Sequence, residues 1–487
     1  VRARTLLLAA SLTTTGLLAL PFPAGATAPA APAAPSRLSD DFNGDGYRDL
    51  VVAAPDAKVS GKDQAGAVVV LYGSASGPRA AKKQLISQSS AGVSGAAESL
   101  DRFGDSVATA DLDADGYADL LVGVPYEDVG GARDRGSVTV LWGGAHGLKS
   151  SAVLPTPDGS GGDAGCVYGV GLAAAQAPTG SRGSVSVAGW CASRRMTGPF
   201  TRAGKPVANS TATGTGSVND TLLGDLDGDR RADTVDITVG MSDQPEGAVY
   251  VNPAARGNHP LATDGDNATI GDVNGDGYGD LVIGDPGDMV VDGSPQAGTG
   301  HQGGQIAIWP GSATGVDPEA DPILINQSTP GVPGASENDD SFGTDVSVSD
   351  IDHDGYGDIA VGTPGEKLGS ARSAGTVVIV PGGPQGPTGA GSFTLSQASS
   401  GVPGTAERED RFGTTVHFAD LTKDGRPDLV VGTPGEIVPG STRKTGGVWV
   451  FKGTASGLSL GTSYDVMAGS VGLPTTSDTA WGSVQAP

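Results

Sequence analysis

The chain has 487 residues and a mass of 48.0 kDa, with 80 Gly and 33 Pro but only 5% aromatic residues. That is a composition for many short strands joined by tight turns, and it excludes a helical bundle. The 55 acidic residues against 30 Lys and Arg give a net charge of −25, which repels nucleic acid and anionic membrane surfaces. No Pro/Ser-rich linker divides the chain after residue 37, so one large body is expected.

At the start of the chain, Arg2 and Arg4, the apolar run Leu6 to Leu20 and then Ala24-Gly25-Ala26 have the charged, greasy and small-residue parts of a secretory signal, with cleavage expected after Ala26. The run is interrupted by Ser11 to Gly16 and is short of the roughly 20 residues a bilayer span needs. Residues 27–37, rich in Ala and Pro, read as a disordered spacer. The mature protein is expected outside the cell, free or loosely wall-associated, without an integral membrane segment.

From residue 38 onward one acidic nonapeptide recurs six times: DFNGDGYRD from Asp41, DLDADGYAD from Asp111, DLDGDRRAD from Asp225, DVNGDGYGD from Asp272, DIDHDGYGD from Asp350 and DLTKDGRPD from Asp420. Each precedes an apolar stretch, and three follow a Phe-Gly pair eight residues upstream: Phe103-Gly104, Phe342-Gly343 and Phe412-Gly413. The start-to-start separations are 70, 114, 47, 78 and 70 residues, so one unit is missing its signature in the long gap. Tyr168-Gly169 marks it: eight residues on stands Gln176, at the head of a segment without carboxylates. This degenerate unit spans about residues 166–207. It contains both cysteines, Cys166 and Cys191, which are expected to pair with each other in an oxidising compartment.

Each unit reads as strand, acidic turn, buried strand, variable loop, third strand and fourth strand, which is one blade of a β-propeller. Six acidic units and one stripped unit predict a seven-bladed all-β propeller over residues 38–487. Trp481-Gly482 near the C-terminus looks like one more Phe-Gly strand, whose missing continuation is the turn at Asp41. The ring is therefore expected to close by pairing the two ends of the chain, leaving no sheet edge exposed.

The nonapeptide has the chemistry of a calcium loop. A hard divalent cation takes six to eight oxygens, which alternate side chains and one main-chain carbonyl supply when the turn is sharp. The expected ligands at positions 1, 3, 5, 7 (by its carbonyl) and 9 are Asp41, Asn43, Asp45, Tyr47 and Asp49; Asp111, Asp113, Asp115, Tyr117 and Asp119; Asp225, Asp227, Asp229, Arg231 and Asp233; Asp272, Asn274, Asp276, Tyr278 and Asp280; Asp350, Asp352, Asp354, Tyr356 and Asp358; and Asp420, Thr422, Asp424, Arg426 and Asp428. Position 12, where an EF-hand has Glu, is apolar in five copies and Asp236 in the third, so position 9 is expected to be the bidentate ligand. Gly at position 6 supplies the left-handed turn in five copies. Arg230 replaces it in the third, which is the turn expected to be empty or weak. Up to six structural Ca²⁺ ions are predicted, and the all-oxygen set disfavours softer metals.

Together, the Phe-Gly pair, the acidic loop and the closing Gly-x-Pro (Gly123 to Pro125, Gly362 to Pro364, Gly432 to Pro434) resemble the FG-GAP repeat of the integrin α-subunit head and of related bacterial secreted proteins. The resemblance implies a seven-bladed propeller whose calcium loops stiffen one face while ligand contacts come from the other. It extends to the C-terminal part of glycosylphosphatidylinositol-specific phospholipase D, without the catalytic domain that precedes the propeller there. The function expected is a secreted, monomeric binding or adhesion module for an extracellular protein or glycan; the alternative is an extracellular hydrolase with a site on the propeller face or axis. No GxSxG or HExxH motif marks a catalytic centre.

Overall fold

The computed structural model describes residues 38–157, 164–176, 183–211, 217–240, 247–252, 260–287, 290–291, 294–295, 301–438 and 440–486. The secretory signal and spacer read at residues 1–37 lie outside the described residues. The rest is a seven-bladed propeller of four-stranded antiparallel sheets. Blade 1 is built from Leu50–Ala54, Ala67–Leu71 and Lys83–Ile86, and blade 2 from Val107–Ala110, Asp119–Val124, Ser137–Trp142 and Ser150–Val153. Blade 3 comprises Leu172–Ala175, Ser184–Val187, Arg194–Thr197 and Ala208–Thr211; blade 4, Val218–Gly224, Asp233–Thr238, Gly247–Val251 and Pro260–Gly265. Blade 5 comprises Asn267–Gly271, Asp280–Asp285, Gln305–Trp309 and Ile323–Ile325; blade 6, Val346–Ser349, Asp358–Thr363, Thr376–Val380 and Phe393–Leu395; blade 7, Thr415–Ala419, Asp428–Thr433, Gly447–Thr454 and Gly457–Met467.

Closure follows the expected route. Val484–Ala486 runs antiparallel to Leu50–Ala54, pairing Val51 with Ala486 and Ala53 with Val484, and so supplies the innermost strand of blade 1. Trp481 is fully buried and its indole N–H donates to the Val52 carbonyl at 3.3 Å. Round the ring, the innermost strand of each blade touches that of the next, from Val107–Ala110 back to Val484–Ala486.

The apolar runs after the acidic turns have a physical cause. Each sheet is covered on both faces by its neighbours, so a strand such as Asp119–Val124 or Asp358–Thr363 is buried at every residue and cannot alternate. The Phe-Gly pair belongs to the same packing. Phe103 is fully buried, while Gly104, at φ +97°, approaches blade 1 so closely that a Cβ would meet Val68 Cγ1 at 2.9 Å.

Among the described residues, apolar clusters fill six of the seven interfaces between blades. Between blades 6 and 7, for example, Ile379, Phe412, Trp449 and Phe451 pack together, with the Phe412 and Trp449 rings edge to face at 5.9 Å. The interface between blades 3 and 4 is polar. There Ser186 and Thr221 hydroxyls lie 2.8 Å apart and Thr221 donates to Asp236 at 2.9 Å. Since Thr221 gives its proton to the carboxylate, Ser186 is the donor in the first bond. Burial pushes the Asp236 pKa up, opposed by the Thr221 bond and the nearby Arg195 charge. The expected cystine is present: Cys166 and Cys191 are bonded, with Cα atoms 5.0 Å apart, bracketing the first two strands of blade 3.

Candidate metal centres

Five acidic turns join the innermost strand of a blade to its second strand and the one at Asp41 leads into the second strand of blade 1, so all six open on one face of the ring. Within the first, Asp41 accepts the N–H groups of Gly44 through Oδ1 and of Gly46 through Oδ2, both at 2.7 Å. The Asn43 and Asp45 side chains each take the N–H two residues on, at 2.8 and 3.0 Å. The third turn repeats the pattern, Asp225 taking Gly228 and Arg230 at 2.8 Å while Asp227 and Asp229 take the N–H two residues on, at 3.0 and 2.7 Å. Asp227 and Asp229 each use one oxygen in this way and have a second; Asn43 has only the one, and Asp45 Oδ2 takes the Asn43 amide at 3.2 Å.

The donor set fits a hard cation. Asp111, Asp113 and Asp115, then Asp225, Asp227 and Asp229, then Asp350, Asp352 and Asp358 each bring one oxygen apiece within 4.8 Å of one another. In the turns at Asp41 and Asp272 the third position is Asn43 or Asn274, and in that at Asp420 it is Thr422, neutral groups that still offer oxygen. Arg230 does not distort its turn. It adopts φ +66°, close to the +84° to +94° of Gly46, Gly116, Gly277 and Gly355.

Position 4 is left-handed as well, in all six copies: Gly44, Ala114, Gly228, Gly275, His353 and Lys423 lie between φ +58° and +74°. Sequence reading missed this because the residue types there vary. It also missed what position 9 does in the fold. Asp49 Oδ2 accepts the Phe42 N–H at 2.9 Å and Oδ1 accepts the Gly73 N–H at 2.8 Å, tying the turn to the end of the third strand. Asp119, Asp280, Asp358 and Asp428 make the same two bonds. Asp233 differs, holding Leu226 N–H but taking its second bond from the Asn252 amide at 2.7 Å. Burial, reinforced by the neighbouring loop acids, pushes Asp49 up to about 8 and Asp280, Asp358 and Asp428 to about 6, against the pull of these backbone bonds. A bound cation would relieve that cost.

The turns also tie blades together. The Asp41 carbonyl accepts the Ala118 N–H of the next turn at 3.0 Å, and Asp272 receives Gly357 at 2.8 Å. The second residue's carbonyl reaches the next blade too, with Phe42 accepting Gly144 and Val273 accepting Gly383, both at 3.0 Å. A cavity of about 490 Å³ on this face lies between the turns at Asp350 and Asp420 and includes Arg48, His353 and His417 in its wall. Burial, with the Arg48 charge adding to it, pushes His417 down to about 4, so it is neutral near pH 7.

The opposite face carries the loops after Gly-x-Pro and the connections between blades, which hold one another in place. Gln88, Gln327 and Gln397, each in a connection, donate to Glu127, Glu366 and Glu436 of the following blade at 2.6, 2.6 and 2.7 Å. The three pairs share a spacing of 39 residues, a signal that was available in the sequence and went unread. Arg102 adds an ion pair to Asp56 at 2.6 Å, and Glu409 N–H donates to the Arg372 carbonyl at 2.9 Å. No helix among the described residues is long and apolar enough to cross a membrane.

A closed ring of four-stranded sheets with acidic turns on one face defines a class, and the comparisons with known proteins specify it. The FG-GAP repeat matches residues 38–71, 103–141, 342–380 and 412–451, within blades 1, 2, 6 and 7. The chain thus carries FG-GAP repeats in four places, and its fold is similar to an integrin-like FG-GAP propeller. It is 33% identical to the phosphatidylinositol-glycan-specific phospholipase D of Dictyostelium discoideum over 36% of this chain and 18% of that protein. Against the Bos taurus protein of the same name the identity is 32%, over 38% and 20%. Human integrin alpha-IIb is 38% identical over 24% of this chain and 11% of its own length. The matched region thus spans about a fifth or less of each of these relatives.

Proposed function

We propose that this protein is an exported binding module, stiffened by calcium in the acidic turns, whose partner is an extracellular protein or glycan docking on the face opposite those turns. The observation that carries the reading is the triplicated Gln–Glu tie, which fixes each connection to the following blade's loop. Loops fixed before the partner arrives lose little conformational entropy on binding, which is what a recognition surface requires. Calcium is the cation best suited to six flexible all-oxygen turns. Position 1, 3, 5 and 9 side chains and the position 7 carbonyl, as assigned above, would hold it, and six such ions would offset about 12 of the 21 negative charges gathered in those turns. The cystine and the signal-like segment at residues 1–26 support export. The protein is proposed to act as a monomer.

The test is direct binding of the homogeneous, calcium-loaded protein to glycan and extracellular-matrix protein arrays, alongside a variant altered at two exposed cations of the opposite face, K367E/R372E. Binding that disappears in the variant, with the melt unchanged, is the expected result. The same preparation is screened for turnover of ester, glycan and phosphodiester substrates with and without chelator. Sustained turnover would replace the binding reading with the hydrolase one.

A further inference from the structure

Blade 3 lacks an acidic turn, and its neighbour's turn is treated differently from the other five. The segment after the third strand of blade 3, Gly198 to Lys205, folds back onto the turn at Asp111. Phe200 is buried in the core between blades 2 and 3. Its N–H donates to the Leu112 carbonyl at 2.7 Å. This is the bond that Gly144 gives Phe42 and Gly383 gives Val273 where the following blade is regular. Bonds between Thr201 and Lys205, at 2.9 Å, and from Gly204 to Thr201, at 2.7 Å, then close a tight turn that presents Arg202.

The Arg202 guanidinium meets the acids themselves. Its Nε donates to Asp113 Oδ2 at 2.7 Å, and one terminal nitrogen donates to both Asp115 Oδ2 and the Gly143 carbonyl. The guanidinium carbon lies 5.8 Å from the Trp142 ring centroid. The Oδ1 atoms of Asp113 and Asp115 are already occupied by the N–H groups of Asp115 and Tyr117. Arg202 therefore engages the oxygens that the turn leaves over at positions 3 and 5. Among the described residues no ion pair reaches a position 3 acid in another turn. The Asp424–Arg426 pair, at 3.8 Å, stays within its own loop and involves position 5.

We propose that Arg202 is a built-in counter-cation of the Asp111–Asp119 turn: the docked arm of blade 3 replaces both the packing of a missing loop and the charge of a metal, so this turn takes up calcium last and only by displacing the guanidinium. A planar fork with fixed donors matches two carboxylates and remains charged at all working pH values. Divalent cation and guanidinium compete for the same oxygens, so occupancy of this turn is coupled to release of the arm.

The inference rests on the calcium reading, and the experiment separates the two. Chelator-stripped wild type, R202Q and R202K are titrated with calcium by equilibrium dialysis, with bound metal counted by atomic emission and fold checked by circular dichroism. R202Q is expected to bind one equivalent at least tenfold more tightly than the last equivalent of the wild type. That gain should vanish in R202Q/D113N/D115N, and R202K should fall between. If the R202Q isotherm superimposes on that of the wild type, Arg202 is no counter-cation; if the wild type takes up no calcium at all, the calcium reading itself fails. Should R202Q not fold, Trp142 emission in the wild type decides, with W142F as the blank. A change half complete at tenfold more calcium than the bulk uptake supports the proposal, and a change coincident with it overturns the proposal.

Discussion

Blades 6 and 7 and blades 3 and 4 are built to the same topology and held by different forces. Between blades 6 and 7 the seam is an apolar cluster of Ile379, Phe412, Trp449 and Phe451, and each blade has a position 9 aspartate bolting its turn to its third strand. Between blades 3 and 4 the seam is a hydroxyl chain ending on Asp236, and one partner has no acidic turn. That blade carries an internal cystine instead, and its Arg202 arm ties it to the turn of blade 2 on its other side. The same ring therefore joins its blades through apolar seams in one region and through a buried polar seam in another. The FG-GAP repeat matches blades 6 and 7 and does not reach blades 3 and 4.

Metal removal should break this comparison most sharply. With free calcium at tenfold its dissociation constant, each site contributes about 1.4 kcal/mol, and five or six sites give roughly 7–8 kcal/mol, comparable with the stability of a whole domain. EDTA should lower Tm steeply, and amide exchange should accelerate first in Asp358–Thr363 and Asp428–Thr433 while Ser184–Val187 lags. A melt indifferent to EDTA would refute the structural role of the metal. The converse cut is C166S/C191S. Its closed loop of 25 residues predicts a loss of about 3 kcal/mol, with faster exchange confined to blade 3.

A subtler probe is pH. Burial, ahead of the neighbouring Asp410 and Glu407 charges, pushes Glu436 up to about 7 despite the Gln397 bond. A carboxyl with a raised pKa favours the folded state while protonated, so its contribution is complete below pH ~4.5 and is lost as pH climbs through about 7. In saturating calcium, the fall in Tm between pH 5 and 8 should be shallower in E436Q than in the wild type. The smallest effect is expected at Arg230, held at φ +66° in a turn whose other copies carry Gly. R230G should raise stability by about 0.5–1 kcal/mol, the relief of left-handed strain less the entropy of glycine. An unchanged or lower denaturation midpoint would show that Arg230 is held there by contacts worth more than that strain.

Much of the architecture was readable one residue at a time. Blade count followed from the spacing of the aspartates, ring closure from Trp481-Gly482, and the degenerate blade from Tyr168-Gly169, since each is a local pattern repeated. Position 4 of the turns was not readable, because Ala114, His353 and Lys423 give no hint of a left-handed backbone that the hydrogen bonds to position 1 impose. Nor was the second duty of Asp49 and its equivalents, since the glycine they hold lies 24 residues or more downstream.

The amino-acid sequence alone determined the units, their number and the oxygen chemistry of the turns, because a turn's conformation and its donors lie within nine consecutive residues. Only the closed ring decided which units meet across a polar seam, and only it set Arg202 against acids 87 and 89 positions away. Contacts of that kind are made by the packing of one blade on the next, and no local pattern records them.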